Sequence, residues 1–239
     1  MKKRLFPTLW FIAMGCAFSA TAQNVTLKTF DDSVSYAVGC NIFHDMTRQW
    51  HAQQLGFNER IVVQAMADCV DGKEAWNDAL SQSILMRYQQ ALNEKKRAEL
   101  QENIEAGEKF LKKNSNNKSI YTTTSGLQYR MLKAGNGKRP SLHVGEAGKR
   151  PDRVKVHYTG KLINGKVFDS SVERGAPITF ALDQVIAGWT EGLQLMDEGS
   201  KYMLYIPYKL GYGEHQAGDI PPGSALIFEV ELLEINPEK

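Results

Sequence analysis

The sequence predicts an α+β protein in which helices come first and an antiparallel sheet follows. Two observations indicate this fold class. Apolar residues recur at helical spacing from Asp31 to about Lys113, and after Asn114 they alternate or form short runs, as is typical of strands. The second half also contains one short helical pattern among the strand patterns, and a single helix beside antiparallel strands is an α+β arrangement.

Three helices are expected in the first half. The second of them should begin after an N-cap at Asn58 and end at Gly72. The third extends from Asp78 to Lys113 and would reach roughly 50 Å at about 1.5 Å of rise per residue. Its middle, Asn93–Gln101, is nearly all charged or polar, so we expect this helix to bridge two bodies.

Strand and turn signals follow a turn-rich break at Asn114–Asn117. The segment Gly135–Asp152, rich in Gly, Lys and Pro, is expected to be a loop. The expected elements are strands at Ile120–Thr124, Leu127–Leu132, Val154–Tyr158, Lys201–Ile206 and Ala225–Ile235, a hairpin turn at Asn164–Gly165, and a helix over Gln184–Leu195.

The first residues have the layout of a secretory signal peptide. A basic head, Lys2–Arg4, precedes the apolar run Leu5–Phe18 and the small residues Ala20–Ala22. The apolar run is shorter than the about 20 residues that a membrane span needs. We expect cleavage after Ala22 and export, most simply to the periplasm. An outer-membrane lipoprotein acylated at Cys16 and an uncleaved anchor are the alternatives.

Charge and cysteines exclude several classes of function. Loss of the three basic residues in the leader changes the formal charge from +2 to −1, so nucleic acid is not an expected partner. Cys40 and Cys69 remain, and they form neither a CxxC pair nor a metal-ligand spacing with histidine. They could form one disulfide or stay as buried free thiols, and neither state suggests redox catalysis.

No conventional catalytic constellation is present in the sequence. The five histidines lack the spacing of metal ligands, and no serine lies in a GxSxG elbow. The segment Gly211–Gly213 does not lie between a strand and a helix, as a phosphate-binding loop would. Covalent, metal and phosphoryl chemistry therefore lack support, and no cofactor is expected. The second half carries aromatic residues at turns instead. On composition alone they could be residues of the hydrophobic core, and the polar groups of the tryptophan and the tyrosines also suit an apolar pocket with a few polar groups.

Several motifs in the second half resemble the FK506-binding-protein (FKBP) isomerases. They are VHYTGKLINGKVFDSS from Val156, QVIAGWTEGLQLMDEGSKYMLYIP from Gln184, LGYG, IPP and LIFEVELLEI, and together they span Arg153–Ile235. Upstream, Ser35–Gly39 and Thr123–Tyr129 are similar to the exported bacterial subgroup, which includes macrophage-infectivity-potentiator-like and periplasmic chaperone isomerases.

The resemblance implies peptidyl-prolyl cis/trans isomerase activity that assists the folding of exported proteins. It implies a twisted antiparallel sheet around one short helix for residues 114–239. Residues 23–113 would then form a helical dimerisation and chaperone domain whose long helix carries the isomerase domain, and residues 1–22 the signal peptide. Expected partners are unfolded or proline-containing polypeptides, a second copy of the chain, and FK506- or rapamycin-like macrolides.

The resemblance also implies the site. Trp189 would form the floor beneath the proline ring, and phenylalanines would form the walls. The backbone N–H of Ile186 and the hydroxyl of Tyr212 would offer hydrogen bonds, and Asp169 would polarise the amide from the rim. The implied catalytic residues are Tyr158, Phe168, Asp169, Trp189, Tyr212 and Phe228, and the implied substrate-binding residues are Phe180, Val185, Ile186 and Ile220.

Two segments depart from the family pattern. The loop Glu214–Asp219 differs in length and composition, and Asp219 stands where an apolar neighbour of Ile220 is expected. Macrolide affinity and the preference for the residue before proline therefore do not follow from the resemblance. Ser141–Pro151 is an insertion, which we interpret as a solvated loop rather than a flap over the site. Alternative functions are a holding chaperone and a surface assembly factor that binds proline without catalysis.

Overall fold

The computed structural model describes residues 26–52, 55–146 and 148–238. The predicted signal peptide and Cys16 lie outside these residues. The chain divides into two compact units, with the division between Ser81 and Gln82. The domain boundaries predicted at residues 22 and 113 stay predictions. In the part of the chain that is described, no helix has both the length and the apolar composition needed to cross a bilayer.

Among the described residues, three helices precede the sheet: α1 (Phe30–Ala52), α2 (Glu59–Asp71) and α3 (Asp78–Asn114). The predicted limits of α2 agree with the structure, because the Asn58 side chain accepts hydrogen bonds from the first turn and Gly72 adopts the left-handed conformation, with φ 64°. Helix α3 is a single element of 37 residues. Cys40 is half-buried and Cys69 is exposed, and both are free thiols.

Seven strands form one antiparallel sheet in the order β1-β2-β6-β7-β3-β4, and β5 pairs with β3. The predicted fold class is confirmed. The strands are β1 (Tyr121–Thr122), β2 (Gln128–Lys133), β3 (Arg153–Leu162), β4 (Val167–Ser170), β5 (Ile178–Ala181), β6 (Lys201–Ile206) and β7 (Leu226–Ile235).

The structure differs from the sequence expectation at three elements beside the site. Strand β3, expected over Val154–Tyr158, extends to Leu162. Strand β5 was not expected, because four residues give too short an alternation to recognise. Helix α4 (Ala187–Gln194) begins three residues later than expected, since Ile186 is extended, with φ −61° and ψ 150°. Residues Gln184–Ile186 therefore form an extended approach to α4 rather than its first turn.

One face of the sheet packs on α4 and forms the core. In β3 and β7 every second residue is buried over most of the strand, as expected when one face of a sheet covers a helix. Helix α4 contributes Trp189 and Leu193, which are 4% and 0% exposed. Leu204 of β6 lies against the same helix, and the next residue, Tyr205, therefore faces the opposite side of the sheet.

The C-terminal part of α3 packs on that opposite side. The rings of Phe110 and Tyr205 lie 6.0 Å apart. The Gln128 side chain donates a hydrogen bond of 2.9 Å to the carbonyl of Leu111. Asn103 donates another of 2.9 Å to the carbonyl of Pro222. The polar middle of α3 is exposed as expected, but its last turns belong to the packing of the second unit.

Gly107 makes the close approach of α3 possible. It is the buried residue of this helix. A Cβ atom at this position would lie 2.9 Å from the Cβ of Ala225, which immediately precedes β7. A larger residue would therefore push the helix away from the sheet.

The predicted loop Gly135–Asp152 contains no helix or strand among its described residues and is held by Asp152. Asp152 accepts hydrogen bonds of 2.8 Å from the Ser141 N–H, 3.1 Å from the His143 ring and 2.7 Å from Asn236. Burial opposes ionisation of this carboxyl, but the donors outweigh burial and lower its pKa. The loop is thus tied to the start of β3.

The packing of α3 gives a stability prediction. Gly107→Leu should lower the free energy of unfolding by about 1–3 kcal/mol, because the new side chain overpacks the contact with Ala225. Urea denaturation of the full-length protein, followed by tyrosine and tryptophan fluorescence, measures the effect. The control is Ala106→Leu, which makes a similar change at the exposed neighbouring position. Equal stability of the two variants would contradict the packing.

Candidate active site

A cavity of about 620 Å³ opens on the face of the sheet that carries α4. All ten residues implied by the sequence resemblance line it, and four further residues do so as well. The lining consists of Tyr158, Phe168, Asp169, Phe180, Gln184, Val185, Ile186, Trp189, Tyr212, Ala217, Gly218, Asp219, Ile220 and Phe228. The structure therefore brings together side chains from β3, β4, β5, α4 and β7 and from the loop before β7.

Trp189 lies at the centre of a cluster of rings. Its ring centroid is 5.0 Å from that of Tyr158, 5.2 Å from Phe228 and 5.7 Å from Phe180. All three pairs are close to perpendicular, which places ring edges against ring faces, a favoured arrangement. Each ring limits the movement of its neighbours, so the cavity is a rigid apolar surface.

A glycine in β3 leaves room for two rings of this cluster. Phe168 and Phe228 meet edge to face, with centroids 5.5 Å apart. A Cβ atom at Gly160 would lie 2.6 Å from Cε2 of Phe168 and 2.7 Å from Cε1 of Phe228. Any side chain at this position would displace both rings. The glycine of the VHYTG motif thus serves the cavity rather than a turn.

A polar cluster lies at one edge of the cavity. The Tyr158 hydroxyl donates a hydrogen bond to Asp169, and the Arg174 guanidinium donates one to the other carboxylate oxygen. A second guanidinium nitrogen lies 3.2 Å from the Tyr158 hydroxyl oxygen. The guanidinium carbon is 5.8 Å from the centre of the Tyr158 ring, within range of a cation–π contact.

The environment of the cavity shifts the pKa values of Tyr158, Asp169 and Tyr212. Burial raises the pKa of Tyr158, and the hydrogen bond to Asp169 adds to the effect. Burial would raise the pKa of Asp169 too, but Tyr158 and Arg174 outweigh it and lower that pKa. Burial and the charge of Asp169 raise the pKa of Tyr212. At neutral pH both hydroxyls are therefore protonated and the carboxylate is ionised.

Sequence reasoning missed Gln184, Ala217 and Gly218, and it treated Asp219 only as a departure from the family. It also missed Arg174, for which the sequence carries no periodic signal beyond its position five residues after Asp169. The described part of the Ser141–Pro151 insertion contributes nothing to the lining. Across residues 26–52, 55–146 and 148–238, no group of three or more His, Cys, Asp or Glu side chains could hold a metal ion.

Family comparisons agree with this architecture. A family model for "FKBP-type peptidyl-prolyl cis-trans isomerase" matches residues 145–233, and one for the "domain amino terminal to FKBP-type peptidyl-prolyl isomerase" matches residues 31–131. The FKBP-type peptidyl-prolyl cis-trans isomerase FkpA of Aeromonas hydrophila is 42% identical, over 90% of this chain and 80% of that protein. The chain belongs to the FKBP-type peptidyl-prolyl isomerase family.

The predicted family and enzyme class are thus confirmed. Further similarities cover both halves of this FKBP-type isomerase. The outer membrane protein MIP of Legionella longbeachae is 35% identical, over 94% of this chain and 93% of that protein. The crystal structure of FkpA from Escherichia coli matches with a TM-score of 0.64 and 32% identity, covering 89% of this chain and 99% of that one.

The electrostatics of the polar cluster can be tested on the FKBP-type isomerase directly. Arg174→Gln should raise the pKa of Asp169, because burial remains while the charged partner is lost. Titration of the carboxyl ¹³C signal by NMR measures the pKa. The matched control is Lys166→Gln, since Lys166 pairs with Asp219 and not with Asp169. An unchanged Asp169 pKa in Arg174→Gln would contradict the assigned cause.

Proposed function

We propose that this isomerase catalyses rotation about X–Pro bonds in the cavity above Trp189, without a covalent step. The observation that supports the proposal is the convergence of all ten implied residues on one largely apolar cavity. Among the residues that line it, none is a serine, cysteine, lysine or histidine that could act as a nucleophile. Rotation about an X–Pro bond breaks no covalent bond and needs no nucleophile, so the shape and the environment of the cavity can supply the catalysis.

The physics of amide rotation fits such a cavity. Resonance gives the C–N bond partial double-bond character and a barrier of about 18–20 kcal/mol. X–Pro bonds consequently isomerise in tens to hundreds of seconds without a catalyst. Twisting the bond removes resonance and reduces the charge separation between oxygen and nitrogen. A water-poor surface of rings disfavours the polar planar amide more than the twisted one, and so binds the transition state preferentially.

Polar groups at the edge would hold the substrate in register. The Tyr212 hydroxyl stays protonated at neutral pH and would donate to the carbonyl of the bond that turns. The backbone N–H of Ile186 has no acceptor among the described residues and would donate to a second carbonyl. Asp169, fixed by Tyr158 and Arg174, would orient the neighbouring groups of the bound peptide. Orientation by fixed groups removes entropy before the chemical step.

Replacing the aromatic side chains of the cavity by alanine should lower the isomerase activity. Trp189→Ala and Phe168→Ala should each lower kcat/KM for a short X–Pro peptide by about tenfold or more, which corresponds to about 1.4 kcal/mol of lost transition-state binding. Protease-coupled isomerisation measures the rate. Tyr121→Ala is the control, because it removes an exposed ring that lies outside the cavity lining. Full activity in both cavity variants would place the site elsewhere.

The clients we propose are exported polypeptides that fold outside the cytoplasm. The basic, apolar and small-residue order of the first 22 residues supports export. A relative is described as an outer membrane protein, which is consistent with an exported isomerase. A soluble periplasmic form and a lipoprotein acylated at Cys16 would both reach such clients. FK506- or rapamycin-like macrolides are proposed ligands of the same cavity.

We further propose that the chain dimerises through its first two helices. Neither α1 nor α2 has a buried residue. Val38 and Ile42 of α1 are 49% and 52% exposed, and Ile61 and Val70 of α2 are 66% and 88% exposed. An apolar surface of this kind is typical of a surface that a partner covers. The match to the FKBP amino-terminal domain spans both helices and supports a second copy as that partner.

Negatively charged substitutions on α1 test the proposed dimer interface. Val38→Glu with Ile42→Glu should convert a dimer into a monomer, because burying two carboxylates in an apolar interface is costly. Light scattering coupled to gel filtration measures the mass, and circular dichroism reports whether α1 is retained. Asn41→Glu with Gln49→Glu is the control, with the same charge added at exposed polar positions of α1.

Two results would contradict the dimer: a monomeric wild-type protein, or a double variant that keeps the wild-type mass. A monomer would favour the holding-chaperone alternative, in which the exposed residues of α1 and α2 bind unfolded chains. That alternative predicts that residues 23–113 alone suppress aggregation of a denatured client.

A further inference from the structure

The mouth of the cavity carries a carboxylate, Asp219, that is not tied to a guanidinium. Asp219 lines the cavity together with its neighbours Gly218 and Ile220. Its side chain is 77% exposed. The other lining carboxylate, Asp169, is occupied by Tyr158 and Arg174. Asp219 is therefore the lining carboxylate that is accessible to a positively charged group of a substrate.

The backbone places Asp219 at a defined position. Ala217 and Ile220 exchange two backbone hydrogen bonds, of 3.1 Å and 3.0 Å, so Gly218 and Asp219 form the tip of a tight turn. Ile220 is 5% exposed and anchors the turn in the cavity wall. The carboxylate is thus carried on an ordered turn rather than on a free loop.

The base of the same loop is also fixed. The Gly223 N–H donates a 2.9 Å hydrogen bond to the carbonyl of Gly213, which closes the loop that contains Asp219. Asn103 of α3 holds the carbonyl of Pro222 from the other side. Tyr212 directly precedes this closed loop, so Tyr212 and Asp219 belong to one rigid part of the cavity rim.

One cation is already near Asp219, but it competes weakly. The Lys166 ammonium nitrogen lies 3.5 Å from the Asp219 carboxylate, and the Lys166 side chain is 54% exposed. Exposed pairs of this kind contribute little and are screened by salt. Once the proline of a substrate is bound, a neighbouring side chain of that substrate is already close to the rim. Its contact with Asp219 therefore costs no further translational entropy. Such a side chain can displace the Lys166 contact.

We propose that Asp219 makes the isomerase select X–Pro bonds in which X is lysine or arginine. This inference rests on the proposed function and names its substrate class. The carbonyl of the bond that turns belongs to residue X, and the Tyr212 hydroxyl would bind that carbonyl. The side chain of X then lies on the Tyr212 side of the cavity, where the turn bearing Asp219 stands. Because Asp219 is largely exposed, it reaches a flanking residue and not the proline ring.

The selection should appear in substrate binding. A charge at the rim attracts the ground state and the twisted state alike, so Asp219 should change KM and leave kcat nearly the same. The size expected for an exposed charge pair is about two- to five-fold in kcat/KM. Low ionic strength should enlarge the preference and high ionic strength should reduce it.

The experiment compares Ala-Xaa-Pro-Phe anilides with Xaa as Lys, Gln or Glu, using the full-length protein in the protease-coupled assay at low and high salt. The wild type should prefer Lys over Gln and Gln over Glu. In Asp219→Asn the ratio of Lys to Gln should fall towards 1, through a higher KM for the Lys peptide. Lys166→Gln should raise the same ratio, because it frees Asp219.

The matched control is Glu214→Gln, which removes one negative charge from the same loop at an exposed residue outside the cavity lining. This variant should keep the wild-type preference. Equal rates for the three peptides, or an equal loss of preference in Glu214→Gln, would overturn the inference while leaving the proposed function intact. No activity on any of the peptides would instead remove the proposed function and this inference with it.

Discussion

The packing of rings around Trp189 is the constraint on which the rest of the site depends. Trp189 extends from α4 to the floor of the cavity, where its ring makes edge-to-face contacts with Tyr158, Phe180 and Phe228. The absence of a side chain at Gly160 leaves room for the rings of Phe168 and Phe228. In a cavity built in this way each ring packs against its neighbours, which favours a defined apolar surface.

The polar groups gain their properties from this rigid surface. Tyr158 is a ring of the cluster and also the donor that holds Asp169, so the apolar wall and the charged edge meet in one residue. Tyr158 and Arg174 together lower the pKa of the Asp169 carboxyl in spite of burial. The loop that follows Tyr212 and bears Asp219 is held by α3, because Asn103 donates a hydrogen bond to the carbonyl of Pro222. The long helix therefore contributes to the rim of the cavity as well as to the architecture of the chain.

Sequence patterns predicted the parts of this structure that depend on local periodicity and on motif order. The limits of α2 and the strands β3 and β7 follow from such signals, whereas the ten implied cavity residues follow from the resemblance to the FKBP family. Strand β5 was missed because four residues carry no readable alternation, and Arg174 because its role depends on a turn that folds back onto Asp169. The packing of α3 on the sheet was also missed, because it depends on Gly107. The absence of a side chain at this residue allows the close approach to Ala225.

The central claim is that the X–Pro bond rotates without proton transfer and without the formation or cleavage of a covalent bond. The ratio of kcat/KM in H₂O to that in D₂O, measured for one X–Pro peptide by protease-coupled isomerisation, tests this most directly. A ratio of about 1 is expected, because no group with an exchangeable hydrogen transfers a proton in the rate-limiting step. A ratio of about 2 or more would mean that proton transfer limits the reaction, and would contradict catalysis by an apolar cavity alone.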